Sequence, residues 1–134
     1  MRTHIGILLA GIGLVCLTAP AAAHHGFDTE YDNNKLITGT GVVSKVEWTN
    51  PHMRVYVDVT DANGKVTTYN LELTSPNAIQ RLGWSKTDLL PGEKVTFKGH
   101  AGKVIESRGA LDSLVKVAAP KQEIFKGERP DDLK

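Results

Sequence analysis

The chain has 134 residues, with 16 Lys and Arg against 15 Asp and Glu, few aromatics and a single cysteine. Near-zero net charge provides no basic excess to draw it to nucleic acid or anionic membranes, and one cysteine excludes an internal disulfide framework. The length suits one domain with one modest core.

Residues 1–23 read as a cleavable secretory signal peptide. Arg2 supplies the positive start, Ile5 to Leu17 forms an uncharged apolar run too short for a membrane span, and Thr18 to Ala23 (TAPAAA) offers small residues at a cleavage point after Ala23. Cys16 follows Gly13, Leu14 and Val15, a poor match to a lipid-attachment box. Processing there removes the cysteine and leaves 111 residues with 15 basic and 15 acidic side chains. The expectation is a periplasmic or secreted protein with no membrane anchor after processing and no thiol chemistry, so that histidine and carboxylate chemistry remain.

His24 to Lys35 (HHGFDTEYDNNK) is polar and aperiodic, which predicts an extended N-terminal arm over 24–35 that ends in a turn at Asp32, Asn33 and Asn34. Leu36 to Trp48 is rich in β-branched residues and predicts a strand with Val42, Val46 and Trp48 on one face; Gly39 and Gly41 mark a bend or bulge. After the break at Thr49 to Pro51, Met53 to Thr60 alternates Met53, Val55, Val57 and Val59 against Arg54, Tyr56 and Asp58. Asp61 to Gly64 predicts a hairpin loop, and Lys65 to Leu73 the returning strand.

Ser75, Pro76 and Gly83 bracket a short helix with an N-cap candidate, proline in the first turn and glycine past the end. Pro91 and Gly92 make a turn, Glu93 to Gly99 alternates Val95 and Phe97 with Lys94, Thr96 and Lys98, and Leu111 to Ala118 predicts a fifth strand with Leu111, Val115 and Val117 on one face. The charged segment 120–134 reads as a flexible tail. Three strands, a short helix and two strands is the order of a five-stranded OB-like barrel over 36–119, a mainly β fold. A small open sandwich fits the same pattern.

Five short motifs in order carry a resemblance. They are His24 to Phe27 (HHGF), Glu47 to His52 (EWTNPH), Ser75 to Asn77 (SPN), Leu82 to Trp84 (LGW) and Leu90 to Val95 (LPGEKV). Together they resemble the small exported bacterial proteins called domain of unknown function 6152, over roughly His24 to Val117. Gly26 stands where members usually carry serine. The resemblance implies export and a small β-fold, and implies no reaction.

Processing near His24 creates an α-amine beside a histidine, a strong nitrogen donor pair for copper(II). Cleavage after Ala23 makes His24 first, so that its amine and ring chelate the ion with a third nitrogen from another histidine. Cleavage after Ala21 or Ala22 instead places His24 or His25 third, where the amine, two backbone amides and the imidazole make a four-nitrogen site, the tetragonal geometry that Cu(II) and Ni(II) favour. His52 and His100 are the candidate partners; both share the parity of outward polar residues, and eleven residues from His25 to Lys35 span up to about 36 Å when extended. The competing reading leaves His24 and His25 solvated and has His52 order its turn through a backbone carbonyl. Asp28, Glu30 and Asp32 are candidate oxygen ligands or a solvated stretch.

Trp48 and Trp84 read as core, with pocket lining as the alternative. Trp48, Asn50, Arg54 and Tyr56 mark a candidate ligand surface. No nucleophile elbow or Gly-rich phosphate loop is present, so no catalytic constellation stands out. Two classes of function follow: a copper-binding exported protein, or a metal-free module that presents its surface to an envelope protein or small ligand. A hydrolase or oxidase is a distant third.

Overall fold

The structure is a computed structural model that describes residues 21–120 and 123–126, with side chains from 26 to 120. Of the expected signal peptide, 1–23, residues 1–20 lie outside the described residues. Helix α1 (Ala21–Glu30) leads directly into β1 (Tyr31–Glu47), followed by β2 (Arg54–Thr60), β3 (Val66–Glu72), the short helix α2 (Pro76–Arg81), β4 (Lys94–Gly102), β5 (Arg108–Lys116) and β6 (Glu123–Lys126). The protein is mainly β, with the expected strands and the helix between β3 and β4 in order.

Local chemistry explains the boundaries. Asp61 Oδ1 accepts from the backbone N–H groups of Asn63 and Lys65, closing the β2–β3 hairpin, and Gly64 takes the positive φ of 81° that this loop requires. Ser75 caps α2 by accepting from Ala78 N at 3.3 Å, with Pro76 in the first turn.

The six strands form one sheet in the order β3-β2-β1-β4-β5-β6, and β3 also pairs with β5 in parallel through Asn70, Leu71 and Glu72 against Arg108, Gly109 and Ala110. The pairings among β1 to β5 therefore run in a circuit. Alternate residues point inward, so Val55, Val57, Leu71, Val95, Phe97 and Leu114 are fully buried and form the centre of the core. Trp48 and Trp84 pack against its rim, partly buried.

Two bulges break the simple alternation. Opposite Val57 and Tyr56, β1 offers Val43 and Lys45, which leaves Ser44 as an extra residue. Phase slips by one there, so Val43 is buried and Val42 is exposed, contrary to the expected face of Val42, Val46 and Trp48. In β5, Ser113 and Leu111 oppose Lys98 and Gly99, so that Asp112 is the extra residue. Leu111 and Leu114 are buried, Val115 is half-buried and Val117 is exposed, whereas strict alternation grouped Leu111 with Val115 and Val117.

Residues 24–35 and the C-terminal segment depart from expectation. The extended arm over 24–35 is instead helix up to Glu30 and strand from Tyr31. Tertiary anchors hold it: Lys103 N donates to Glu30 O at 2.9 Å, Lys103 Nζ donates to Asp28 O, and Asn33 Nδ2 donates to Asp28 Oδ1 at 2.6 Å. Within the expected flexible tail, Glu123–Lys126 forms β6 and pairs antiparallel with β5, satisfying backbone groups that β5 would otherwise leave at an edge. Among the described residues, no helix is long and apolar enough to cross a membrane.

Candidate functional site

The polar residues that the fold gathers lie across β1, β2 and β3. Strand register aligns Glu47 on β1 with Arg54 on β2, and Arg54 with Glu72 on β3. Arg54 donates through Nη2 to Glu72 Oε2 and through Nη1 to Asn70 Oδ1 at 3.1 Å. Tyr31 reaches the same carboxylate from the start of β1, its hydroxyl donating to Glu72 Oε2 at 2.8 Å. Burial raises the Tyr31 hydroxyl well above the ordinary tyrosine range, and the bond to Glu72 and that carboxylate's charge add to the effect.

His52 lies at the opposite edge of this cluster, in the turn that contains the cis Asn50–Pro51 bond. Its Nδ1 is 3.1 Å from Leu73 O and 3.6 Å from Glu72 Oε1, while about half of the side chain remains exposed. His52 is thus outward as expected, and its ring engages a backbone carbonyl.

His100 differs. Its parity with Lys94, Thr96 and Lys98 predicts an outward ring, yet it is 2% exposed. The reason is α1: Phe27 lies edge-on to His100 with centroids 6.4 Å apart, and Phe27 in turn packs 5.0 Å from the Tyr31 ring. Beneath this cover, His100 Nδ1 is 2.9 Å from Asp112 Oδ2. The bulge that makes Asp112 the extra residue of β5 frees its side chain from the strand's alternation.

The expected ligand surface pairs largely with itself. Tyr56 donates to Glu47 Oε2 at 3.1 Å, and the Lys45 ammonium lies 5.4 Å from the centre of the Tyr56 ring. The bond from Lys45, followed by that from Tyr56, holds the Glu47 carboxyl below the usual carboxylate range. Arg54 is engaged with Glu72, Asn50 is exposed in its turn, and Trp48 belongs to the rim of the core.

His24 and His25 lie in α1, with side chains outside the described set. Among the described residues, no group of three or more His, Cys, Asp and Glu converges as a metal ion would require. Sequence reasoning missed Phe27, Tyr31, Glu72 and Asp112. Phe27 and Tyr31 stand four apart in a polar stretch, but Tyr31 begins β1, so no single period marks the pair.

The chain belongs to the family of unknown function DUF6152, whose family model matches residues 10–111. No curated protein matches it. The family carries no assigned reaction, so any chemistry must be argued from the residues themselves.

Proposed function

We propose that this chain is an exported small domain, an OB-like five-stranded barrel, whose processed N-terminus binds Cu(II) through the α-amine and imidazole of His24, with His25 beside it. The observation that carries the reading is the docking of α1. Phe27, three residues after His24, packs against the His100 ring, so the segment that processing would expose is held on the domain rather than trailing from it.

Support for export comes from Arg2, the apolar run Ile5 to Leu17 and the small residues to Ala23. The parallel β3–β5 pairing supports the barrel, because it joins the two ends of a β3-β2-β1-β4-β5 order with a helix between β3 and β4. An amine and imidazole on one residue form a nitrogen chelate that suits Cu(II).

Mass spectrometry of the exported N-terminus and calorimetric Cu(II) titration of that same species test the reading. The expected result is an N-terminus at His24 and a Kd below about 1 μM; no binding tighter than about 1 μM overturns it, since scattered surface histidines can reach that level.

A second reading, a metal-free module for an envelope protein, draws on one observation. Leu36, Val104 and Ile105 are exposed, Val104 almost entirely, on two segments tied by the Lys35–Glu106 ion pair at 2.7 Å. A protein that binds no Cu(II) yet crosslinks to an envelope protein, with the crosslink lost in a Val104→Ser/Ile105→Ser variant, favours it.

A further inference from the structure

We infer that Asn63, at the tip of the β2–β3 hairpin, is a site of spontaneous deamidation, with water as the co-reactant and the Asp61 turn as the restraint that sets its rate. The inference goes beyond the copper reading and draws only on the hairpin loop.

The step is intramolecular. The Gly64 backbone nitrogen gives up its proton to hydroxide and attacks Asn63 Cγ; the Cγ–Nδ2 bond breaks, and Nδ2 takes a proton from water and leaves as ammonia. The resulting succinimide joins Asn63 Cγ and the Asn63 main-chain carbon through the Gly64 nitrogen. Addition of water at Cγ breaks the newly formed bond and leaves aspartate at 63, whereas addition at the main-chain carbon breaks the original peptide bond and leaves an isoaspartyl link. The net change exchanges an amide for a carboxylate and ammonia, and nothing is oxidised or reduced.

Among the asparagines of the chain, only Asn63 precedes glycine. A Cβ on the following residue crowds the attacking nitrogen, and glycine removes that obstacle. The tip is also open: Asn63 and Gly64 are exposed, and nothing lies within 4 Å of a Cβ built on Gly64. The other asparagines differ. Asn50 precedes Pro51, whose nitrogen has no proton to give up. For Asn33 the attacking group is the Asn34 N–H, which donates to Asp32 Oδ1 at 2.9 Å, and Asn34 itself precedes Lys35. Asn70 is half-buried in β3 with Oδ1 accepting from Arg54, and Asn77 lies in α2.

Asp61 restrains the step. Its Oδ1 accepts from Asn63 N at 2.8 Å and from Lys65 N at 3.0 Å, and its main-chain carbonyl accepts from Gly64 N at 3.0 Å. The attacking nitrogen is therefore held in the closed turn, and reaction proceeds through local openings of an exposed loop with little packing to lose. An isoaspartyl link adds an atom to the main chain between the two N–H groups that share Asp61 Oδ1, and either product sets a new carboxylate beside that of Asp61. Conversion thus loosens the turn that defines the hairpin.

The test incubates the folded protein at neutral and mildly alkaline pH and follows each asparagine by peptide mass spectrometry. Asn63 should show the amide-to-acid mass gain before any other asparagine, as a mixture of aspartyl and isoaspartyl forms, and faster at the higher pH. Asp61→Ala should speed conversion by about fivefold or more, the factor that one net hydrogen bond supplies. Asn63→Gln, whose longer side chain closes the larger ring slowly, should stay unconverted. Wild type held unfolded in urea, which needs no substitution, should convert at Asn63 faster than the folded protein by a similar factor. Conversion of a different asparagine first, or equal rates at Asn63 in folded wild type, unfolded wild type and Asp61→Ala, overturns the inference. So does an unconverted Asn63 in the folded protein after the unfolded chain has converted there.

Discussion

Tyr31 at the start of β1 donates its hydroxyl to Glu72 Oε2 at the end of β3 at 2.8 Å, which joins two strands with no ladder between them. The contact fastens the junction of α1 and β1 to the far side of the β2 strand. Through Phe27 it also links the covered His100 to the Arg54–Glu72 cluster.

That bond has a pH signature. Burial first, then Glu72, raises the folded-state pKa of Tyr31 above its unfolded value. The associated stability is fully present below the unfolded tyrosine value of about 10 and is lost as pH rises from there through the folded value. Tyr31→Phe should cost about 1 kcal/mol at neutral pH for the lost hydrogen bond, and should show a shallower loss of stability above pH about 10 than wild type. Urea unfolding at a series of pH values checks both; parallel alkaline limbs in the two proteins would refute the assignment.

Gly109 lies where β5 passes β4. A Cβ there would sit 2.5 Å from His100 O and 2.6 Å from Ile37 Cδ1. A methyl group at this crossing has to displace backbone, so Gly109→Ala should destabilise the domain by about 1–3 kcal/mol, as overpacking generally does. Gly26→Ala, with nothing within 4 Å of the added atom, is the control and should not lower the midpoint.

Ser75→Ala removes the side-chain acceptor for Ala78 N and should cost about 1 kcal/mol. Ser75→Asp should retain most of the stability, because a carboxylate also accepts at a helix N-cap. Thermal or urea unfolding distinguishes the two, and equal losses would assign the effect to packing instead of capping.

A methionine placed before His24 converts the histidine amine into an amide and removes one donor of the proposed chelate. Cu(II) affinity should fall at least tenfold, while the unfolding midpoint without metal stays unchanged, since the described α1 anchors are at Phe27 and Asp28. Equal affinities with and without the extra residue would rule out a role for the amine.

The strands were largely legible because period two is a local property. Met53, Val55 and Val57 alternate with Arg54, Tyr56 and Asp58, and the buried positions follow that alternation. The hairpin at Asp61 to Gly64 and the cap at Ser75 were legible for the same reason, as their hydrogen bonds span four residues or fewer. The bulges at Ser44 and Asp112 were not. Each depends on which residue of a neighbouring strand comes opposite, and neither carries a distinctive residue type.

The candidate site divides in the same way. Sequence alone determined which groups are available: the histidines at 24, 25, 52 and 100, the absence of any cysteine beyond Cys16, and the order of strands that carries them. Only the tertiary structure decided that His52 stays outside against Leu73 while His100 is covered. The physical reason is that a strand's pattern assigns a residue to a face, whereas exposure depends on what lies over that face. Here the cover comes from Phe27, distant from His100 in the chain and held in place by Lys103 and Tyr31 contacts that no local pattern records.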